Sequence, residues 1–129
     1  IAIEISNIGF LVKDGKNFHT IYSNDDVYCT QDEKAYFTEI AAYRGQKYYA
    51  TFTNAQYNSL ILLLRYLTAR FNIPRTFLPA DKMFEAFSSP AAAAAYSGIC
   101  SHVNFRPTGK WDIGPAFNWK KVTFGVWKK

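Results

Sequence analysis

The sequence predicts an α/β (α+β) domain in which a mixed central β-sheet is flanked by helices. Three observations carry this expectation. The opening IAIEIS alternates, with Ile1, Ile3 and Ile5 on one face and Ala2, Glu4 and Ser6 on the other, which is the period of a strand. The segment TNAQYNSLILLLRYLTARFNIP carries apolar residues at helical spacing behind a capping signal. The length of 129 residues, 49% of them hydrophobic, suits a single domain over 1–129 with a core of its own, and it argues against disorder.

Taken in order, Ile1–Ser6 is expected as a strand because three β-branched residues share one face, and Asn7 and Gly9 break it. FLVKDGKNFHTIYS reads as strand, Asp-Gly turn and second strand, with a loop longer than two residues. Asp32 to Arg44 is expected as a short helix and Gln46 to Phe52 as extended chain. Together they form a surface insertion whose aromatics cover a sheet or a cleft. Thr53 and Gln56 make a T-x-x-Q capping box. Tyr57, Leu60, Ile61, Leu64, Leu67 and Phe71 then recur on one helical face, predicting a core helix packed on a sheet. Pro74 lies just beyond its end and disfavours helix at Ile73. The alanine run after Pro90 favours a helix with proline in its first turn, a low-complexity linker being the alternative. GICS reads as a short strand that delivers His102. The closing FNWKKVTFGVWKK reads as a helix or strand with snorkelling lysines.

Composition narrows the function classes only a little. The formal net charge of +5 favours anionic partners such as nucleic acid, acidic polymers or lipid surfaces, and selects none of them. The absence of a clustered basic motif lowers the nucleic-acid reading. Cys29 and Cys100 allow at most one disulfide and lack metal-quartet spacing; Cys100, in GICSH, reads as a buried small hydrophobe. No run of about 18 apolar residues is present, so no transmembrane helix is expected, and no signal peptide is expected either. A chain that opens on a strand pattern without an initiator methionine reads as a piece of something longer.

Chemistry concentrates in SHVNFRPTGKWDIGPAFNW, which holds one of the chain's two histidines. His102 ends the expected strand, where rigid scaffolds present functional groups. Asp112 follows ten residues later, too far for a helical pair. Pro107 and Gly109 between them suit a loop that folds back and brings imidazole and carboxylate to one ion, and zinc accepts both ligand types. On an extended stretch, Lys110 and Asp112 would face the same side. A hydrogen-bonded histidine with a loop salt bridge is the competing reading. Two ligands do not by themselves make a catalytic zinc site, which uses three and keeps an open position.

GICSHVNFRPTGKWDIGPAFNW resembles the C-terminal signature of zinc-dependent N-acetylmuramoyl-L-alanine amidases of the type-2 class, whose fold is shared with peptidoglycan recognition proteins. It matches at His102, Pro107, Lys110, Asp112, Gly114, Pro115, Ala116, Phe117 and Trp119. It departs at Ile113, where proline is common, and at Gly109, where arginine is common. IAIEISNIG is similar to the family's central strand, whose glutamate projects into the active site, and FTNAQYNSLILLLRYLTARFNIP is similar to the helix that follows. Phe10 to Tyr49 does not align and stands as an insertion.

The resemblance implies the C-terminal half of an amidase domain lacking its N-terminal strand and helix, with Zn2+ as cofactor. It implies His102 and Asp112 as zinc ligands, Glu4 as general base or water-orienting carboxylate, and Lys110 as stabiliser of the oxyanion. The substrate would be peptidoglycan or a muropeptide, cleaved between N-acetylmuramic acid and L-alanine. Tyr43, Tyr48, Tyr49, Phe105 and Trp111 would line a groove for glycan or peptide. An extracellular, periplasmic or cell-wall-associated setting goes with that substrate, in wall remodelling or lysis. The family's remaining zinc ligand is a histidine upstream of the glutamate strand. His19, the only other histidine, lies downstream of Glu4 in the unaligned stretch and is a poor replacement. A processed chain completed by a second polypeptide, a longer amidase, and a catalytically inactive peptidoglycan-binding module are the competing expectations.

Overall fold

The computed structural model describes residues 1–128. They form an α+β structure with a five-stranded antiparallel sheet and three α-helices. Its contacts divide into two compact units, Ile1–Phe52 and Thr53–Lys129.

The first unit is the sheet. Its strands are β1 (Phe10–Asp14), β2 (Asn17–Thr20), β3 (Ser23–Thr30), β4 (Phe37–Tyr43) and β5 (Gln46–Ala50), in the spatial order β3-β2-β1-β5-β4. Every neighbouring pair is antiparallel, so the expected mixed sheet is not what forms. The reason lies in the connections. Parallel neighbours need a crossover of a dozen or more residues, whereas two-residue turns join β1 to β2, β2 to β3 and β4 to β5. Asp14 pairs with Asn17, leaving a two-residue turn in which Gly15, at φ 60°, takes the first central position. This loop is shorter than its sequence suggested. Tyr43 pairs with Gln46 across Arg44 and Gly45, both at positive φ, the signature of a type I′ hairpin.

Asp32 to Arg44 is therefore not a helix. Phe37–Tyr43 is a strand, rich in β-branched and aromatic residues and closed by the Arg44-Gly45 turn. The stretch that resembled an insertion is itself the sheet. Conversely, Ile1–Ser6 forms no strand. Alternation supplies a face but not a partner, and no ladder pairs with these residues. Ile1 and Ile3 are exposed. Asn7 ties the chain to the sheet: its side-chain amide donates to the Ala50 carbonyl at 3.1 Å and its Oδ1 accepts from Gly9 N–H at 2.8 Å. Pairing with β5 begins only there, with Ala50 N–H donating to the Gly9 carbonyl.

One residue from each strand builds the core of this unit: Leu11, Phe18 and Cys29, with Phe37 and Tyr48 packed against them. Phe18 on β2 and Phe37 on β4 have ring centroids 4.5 Å apart. Three strand spacings in a flat sheet would separate them by about 14 Å. The sheet therefore curls until its two halves meet over a shared aromatic cluster, the solution of small barrels to burying one face.

The second unit is helical. α1 spans Asn54–Arg70, and its cap is the expected one. Thr53 Oγ1 accepts from Gln56 N–H at 3.1 Å, and Gln56 Oε1 accepts from Thr53 N–H at 2.8 Å. Tyr57, Leu60, Leu64 and Thr68 are its buried positions. Within this unit its partner is α3 (Trp119–Trp127) rather than a strand. The two helices approach so closely that a Cβ on Gly125 would stand 2.5 Å from Ile61 Cδ1. Phe71 drops out of the expected apolar face because it is the C-cap, 55% exposed, one step before Asn72 turns the chain at φ 53°. Arg75 then ties the helices together. It donates to Thr68 Oγ1 at 2.9 Å and to the Arg65 and Val126 carbonyls at 3.1 and 3.2 Å, placing a cation near both C-terminal ends. α2 (Pro90–Ala95) starts on Ser89, whose Oγ accepts from Ala92 N–H, with proline at the first position as expected. No helix among the described residues is long and apolar enough to cross a membrane.

Candidate functional site: the His102–Asp112 loop

His102 opens a short 3-10 helix, His102–Asn104, rather than ending a strand. The GICS segment has one isolated parallel bridge, Ile99 to Phe77, and no ladder. Its backbone is used otherwise. Ile99 N–H donates to the Thr76 carbonyl at 2.8 Å, and the next residues turn into the 3-10 helix. Gly98 permits this approach: a Cβ there would lie 2.5 Å from the Thr76 carbonyl oxygen.

Asn104 organises the turn. It is 1% exposed and uses its side chain fully. Its Oδ1 accepts from Ser101 N–H at 2.8 Å, and its Nδ2 donates to the Met83 and Glu85 carbonyls at 3.0 and 2.8 Å. Its own carbonyl accepts from Phe87 N–H at 2.7 Å. A buried amide with all its capacity engaged fixes one backbone conformation, since any other leaves polar groups unpaired. Asn104 was not singled out from the sequence. The S-x-x-N spacing of Ser101 and Asn104, a capping-box pattern, is the signal that would have found it.

The returning arm of the loop is stitched to this turn. Val103 N–H donates to the Asp112 carbonyl at 2.8 Å, and Ile113 N–H to Ser101 Oγ at 3.3 Å. With Val103 buried beneath, the two side chains flanking these bonds face outward together. His102 Nδ1 and Asp112 Oδ2 come to 3.1 Å, with the imidazole 45% and the carboxylate 63% exposed. The fold-back expected from Pro107 and Gly109 is formed, and Gly109 carries φ 75°.

This geometry fits a hydrogen-bonded ion pair and also half of a zinc site. Two ligands of a tetrahedral zinc, each bound at about 2.0–2.2 Å, stand roughly 3.3–3.6 Å apart. The pair would need to open by only a few tenths of an ångström. Among the described residues no group of three or more His, Cys, Asp or Glu side chains is placed to hold a metal ion. Cys100, two residues from His102, is a free thiol, half-buried rather than buried, and burial pushes its pKa up.

The other expected site residues divide. Lys110 is half-buried in the same loop, two residues before Asp112. Glu4 is exposed and belongs to the first unit, in the segment without a ladder. His19 is a structural residue of that unit. It is buried at an irregularity in the β2–β3 pairing, with Nδ1 at 3.0 Å from the Asp26 carbonyl and Nε2 at 3.8 Å from Asp14. Of the aromatics expected to line a groove, Tyr49 is buried, while Phe105 is exposed, its ring 5.4 Å from that of Phe87. Tyr43, Tyr48 and Trp111 are half-buried.

No protein-family model, curated protein or solved structure compared with the chain matches it.

Proposed function

We propose that the chain is the C-terminal, metal-loop half of a zinc-dependent, amidase-like domain that hydrolyses the amide between N-acetylmuramic acid and L-alanine of peptidoglycan. What supports the reading is the order and spacing of the residues that resemble that family. The observation that carries it is the convergence of His102 Nδ1 and Asp112 Oδ2 to 3.1 Å on an outward-facing, rigidly bonded turn. Zinc held by this pair would supply a water of lowered pKa and a polarised carbonyl.

The resemblance implies the roles of the chain's own groups. His102 and Asp112 would supply one nitrogen and one oxygen ligand. The Lys110 ammonium would stabilise the negative charge that develops on the carbonyl oxygen in the tetrahedral transition state. The Glu4 carboxylate would accept a proton from the attacking water. The reading requires a further ligand from outside residues 1–129, either a longer chain or a second polypeptide.

A second reading has its own support. The same 3.1 Å contact satisfies both side chains as an ion pair without metal, as expected of a non-catalytic peptidoglycan-binding module. Metal analysis of the purified protein with muropeptide digestion separates the two. The enzyme reading expects zinc that His102→Ala and Asp112→Ala lose. It also expects stem-peptide release that Glu4→Gln abolishes with zinc retained, and that Lys110→Ala lowers by about 100- to 1,000-fold. Stoichiometric zinc without release of stem peptide would reject it. Binding to sacculi that survives both chelation and Glu4→Gln would establish the module.

A further inference from the structure

α1 and α3 run parallel and share one core. Near their starts Lys121 Nζ donates to Asn54 Oδ1 at 2.8 Å; further along Gly125 abuts Ile61; near their ends Arg75 donates to the Arg65 and Val126 carbonyls. Phe117 joins their buried faces, its ring 5.1 Å from that of Tyr57 on α1 and 5.0 Å from that of Trp119 on α3. At about 100° per residue, Leu62 and Tyr66 fall opposite the buried face of α1, and Phe124 falls opposite that of α3. The helix pair therefore carries all three on one outer side, and each is strongly exposed, Leu62 at 67%, Tyr66 at 62% and Phe124 at 72%. We propose that this face docks the protein on the surface of an anionic phospholipid bilayer. The inference does not rest on the amidase reading, since it uses neither His102 nor Asp112.

Charge selects the occupant. Residues 53–129 hold ten of the chain's fifteen Lys and Arg but three of its ten Asp and Glu, a formal +7, whereas residues 1–52 carry −2. Neither α1 nor α3 contains an acidic residue. Arg70 on α1 and Lys120 on α3 are exposed, and Lys121 is half-buried. Apolar side chains among cations alone complement lipid phosphates above acyl chains. Leu62 and Phe124 enter the acyl boundary, the Tyr66 hydroxyl stays at headgroup level, and the long basic side chains reach the phosphates.

Other occupants fit less of this face. A second copy related by a twofold axis would set the same patch against itself, cations facing cations with no carboxylate on either helix to offset them. A nucleic acid would use the cations but would hold Leu62 and Phe124 against a polar, hydrated surface. Only a surface that is anionic outside and apolar just beneath uses both kinds of side chain at once.

The test is co-sedimentation of the purified protein with two kinds of vesicle, phosphatidylcholine alone and an equal mixture of phosphatidylcholine and phosphatidylglycerol. Binding to the mixed vesicles should be about tenfold tighter or more, and should weaken as salt is added. Leu62→Ser combined with Phe124→Ser should weaken it about tenfold, and Lys120→Glu several-fold. All three positions are exposed, so the variants keep the core, which unchanged thermal unfolding verifies. Tyr22→Ser, at a residue 76% exposed in the first unit, should leave binding as it was. Equal binding to both kinds of vesicle, or to neither, would overturn the proposal. So would mixed-vesicle binding that the Leu62 and Phe124 changes leave intact, which is contact by charge alone. Self-association that those changes abolish would assign the face to a second copy instead, and duplex DNA binding equally sensitive to them would assign it to nucleic acid.

Discussion

Phe18 and Asn104 are equally buried, each 1% exposed, yet they hold their regions together in different ways. Phe18 touches rings from the opposite side of a curled sheet and asks only that apolar volume be filled. Asn104 sits among backbone groups and accepts only the arrangement that satisfies its amide. The first kind of burial is non-directional and supplies stability. The second contributes less net energy but specifies one conformation, because each unmade bond leaves a buried polar group exposed to its full desolvation cost. A sheet needs the first to close. A loop that must present two side chains at 3.1 Å needs the second.

The largest expected effect tests the sheet. Phe18→Ala removes the ring on which Phe37 and Tyr48 both pack, and should destabilise the protein by about 3–5 kcal/mol in denaturant unfolding. A loss under about 1 kcal/mol would mean that the halves of the sheet do not depend on the cluster. Asn104→Ala comes next, at about 2–3 kcal/mol, from the Ser101 N–H and the Met83 and Glu85 carbonyls left without their partner. Asn104→Asp sharpens the contrast. It keeps an acceptor for Ser101 and loses the donor to both carbonyls, so it should be nearly as destabilising although its shape is unchanged. If Asn104→Asp were as stable as the native protein, the directional account of this turn would fail.

The same contrast explains what was legible in the sequence. The second unit announces itself through short-range chemistry. Thr53 with Gln56, Ser89 with Pro90, and the spacing of His102 and Asp112 all act over at most ten residues, and each is found where its chemistry places it. The first unit is written in register. The β-branched and aromatic content of Phe37–Tyr43 is a weak local signal, its acidic lead-in at Asp32 and Glu33 imitates a helix start, and the pairing that makes it a strand comes from Tyr49 and Ala50. The glycine-containing turns carry the clearer local mark, and the Arg44-Gly45 step was the one that would have corrected the reading. Ile1–Ser6 shows the reverse error. Its pattern is that of a strand, and pairing, which a pattern cannot supply, is what a strand requires. Of the candidate site, the His102–Asp112 pair was readable from spacing, whereas Asn104, which holds it in place, acts through carbonyls about twenty residues upstream.

The smallest expected effect compares one phenol from each region. Burial pushes Tyr49 in the sheet up to about 12, with the neighbouring Tyr43 adding to the shift and Arg44 opposing it. Burial likewise pushes Tyr96 in the helical unit up to about 12, with Cys100 adding to it, and its one hydroxyl proton points between the Ile99 and Thr76 carbonyls, 2.9 and 3.2 Å from the oxygen. In the unfolded chain both phenols titrate near 10. Between about pH 10 and 12 the unfolded state has therefore lost these protons while the folded state retains them. Fewer protons bound in the unfolded state means that stability, complete below pH 10, falls as the pH rises through this window. Ultraviolet titration of the folded protein should show two late phenols, and Tyr49→Phe and Tyr96→Phe should each remove one of them and flatten part of the alkaline loss. The two variants should differ in one respect. Tyr49 donates a single long bond, 3.3 Å to the Tyr43 carbonyl, so Tyr49→Phe should cost little at neutral pH. Tyr96→Phe takes the donor from the Ile99 carbonyl at 2.9 Å, while the Thr76 carbonyl keeps the Ile99 N–H, and this shorter bond should cost more to lose. Equal neutral-pH stabilities would show that the hydroxyl of Tyr96 does not brace the segment leading into His102.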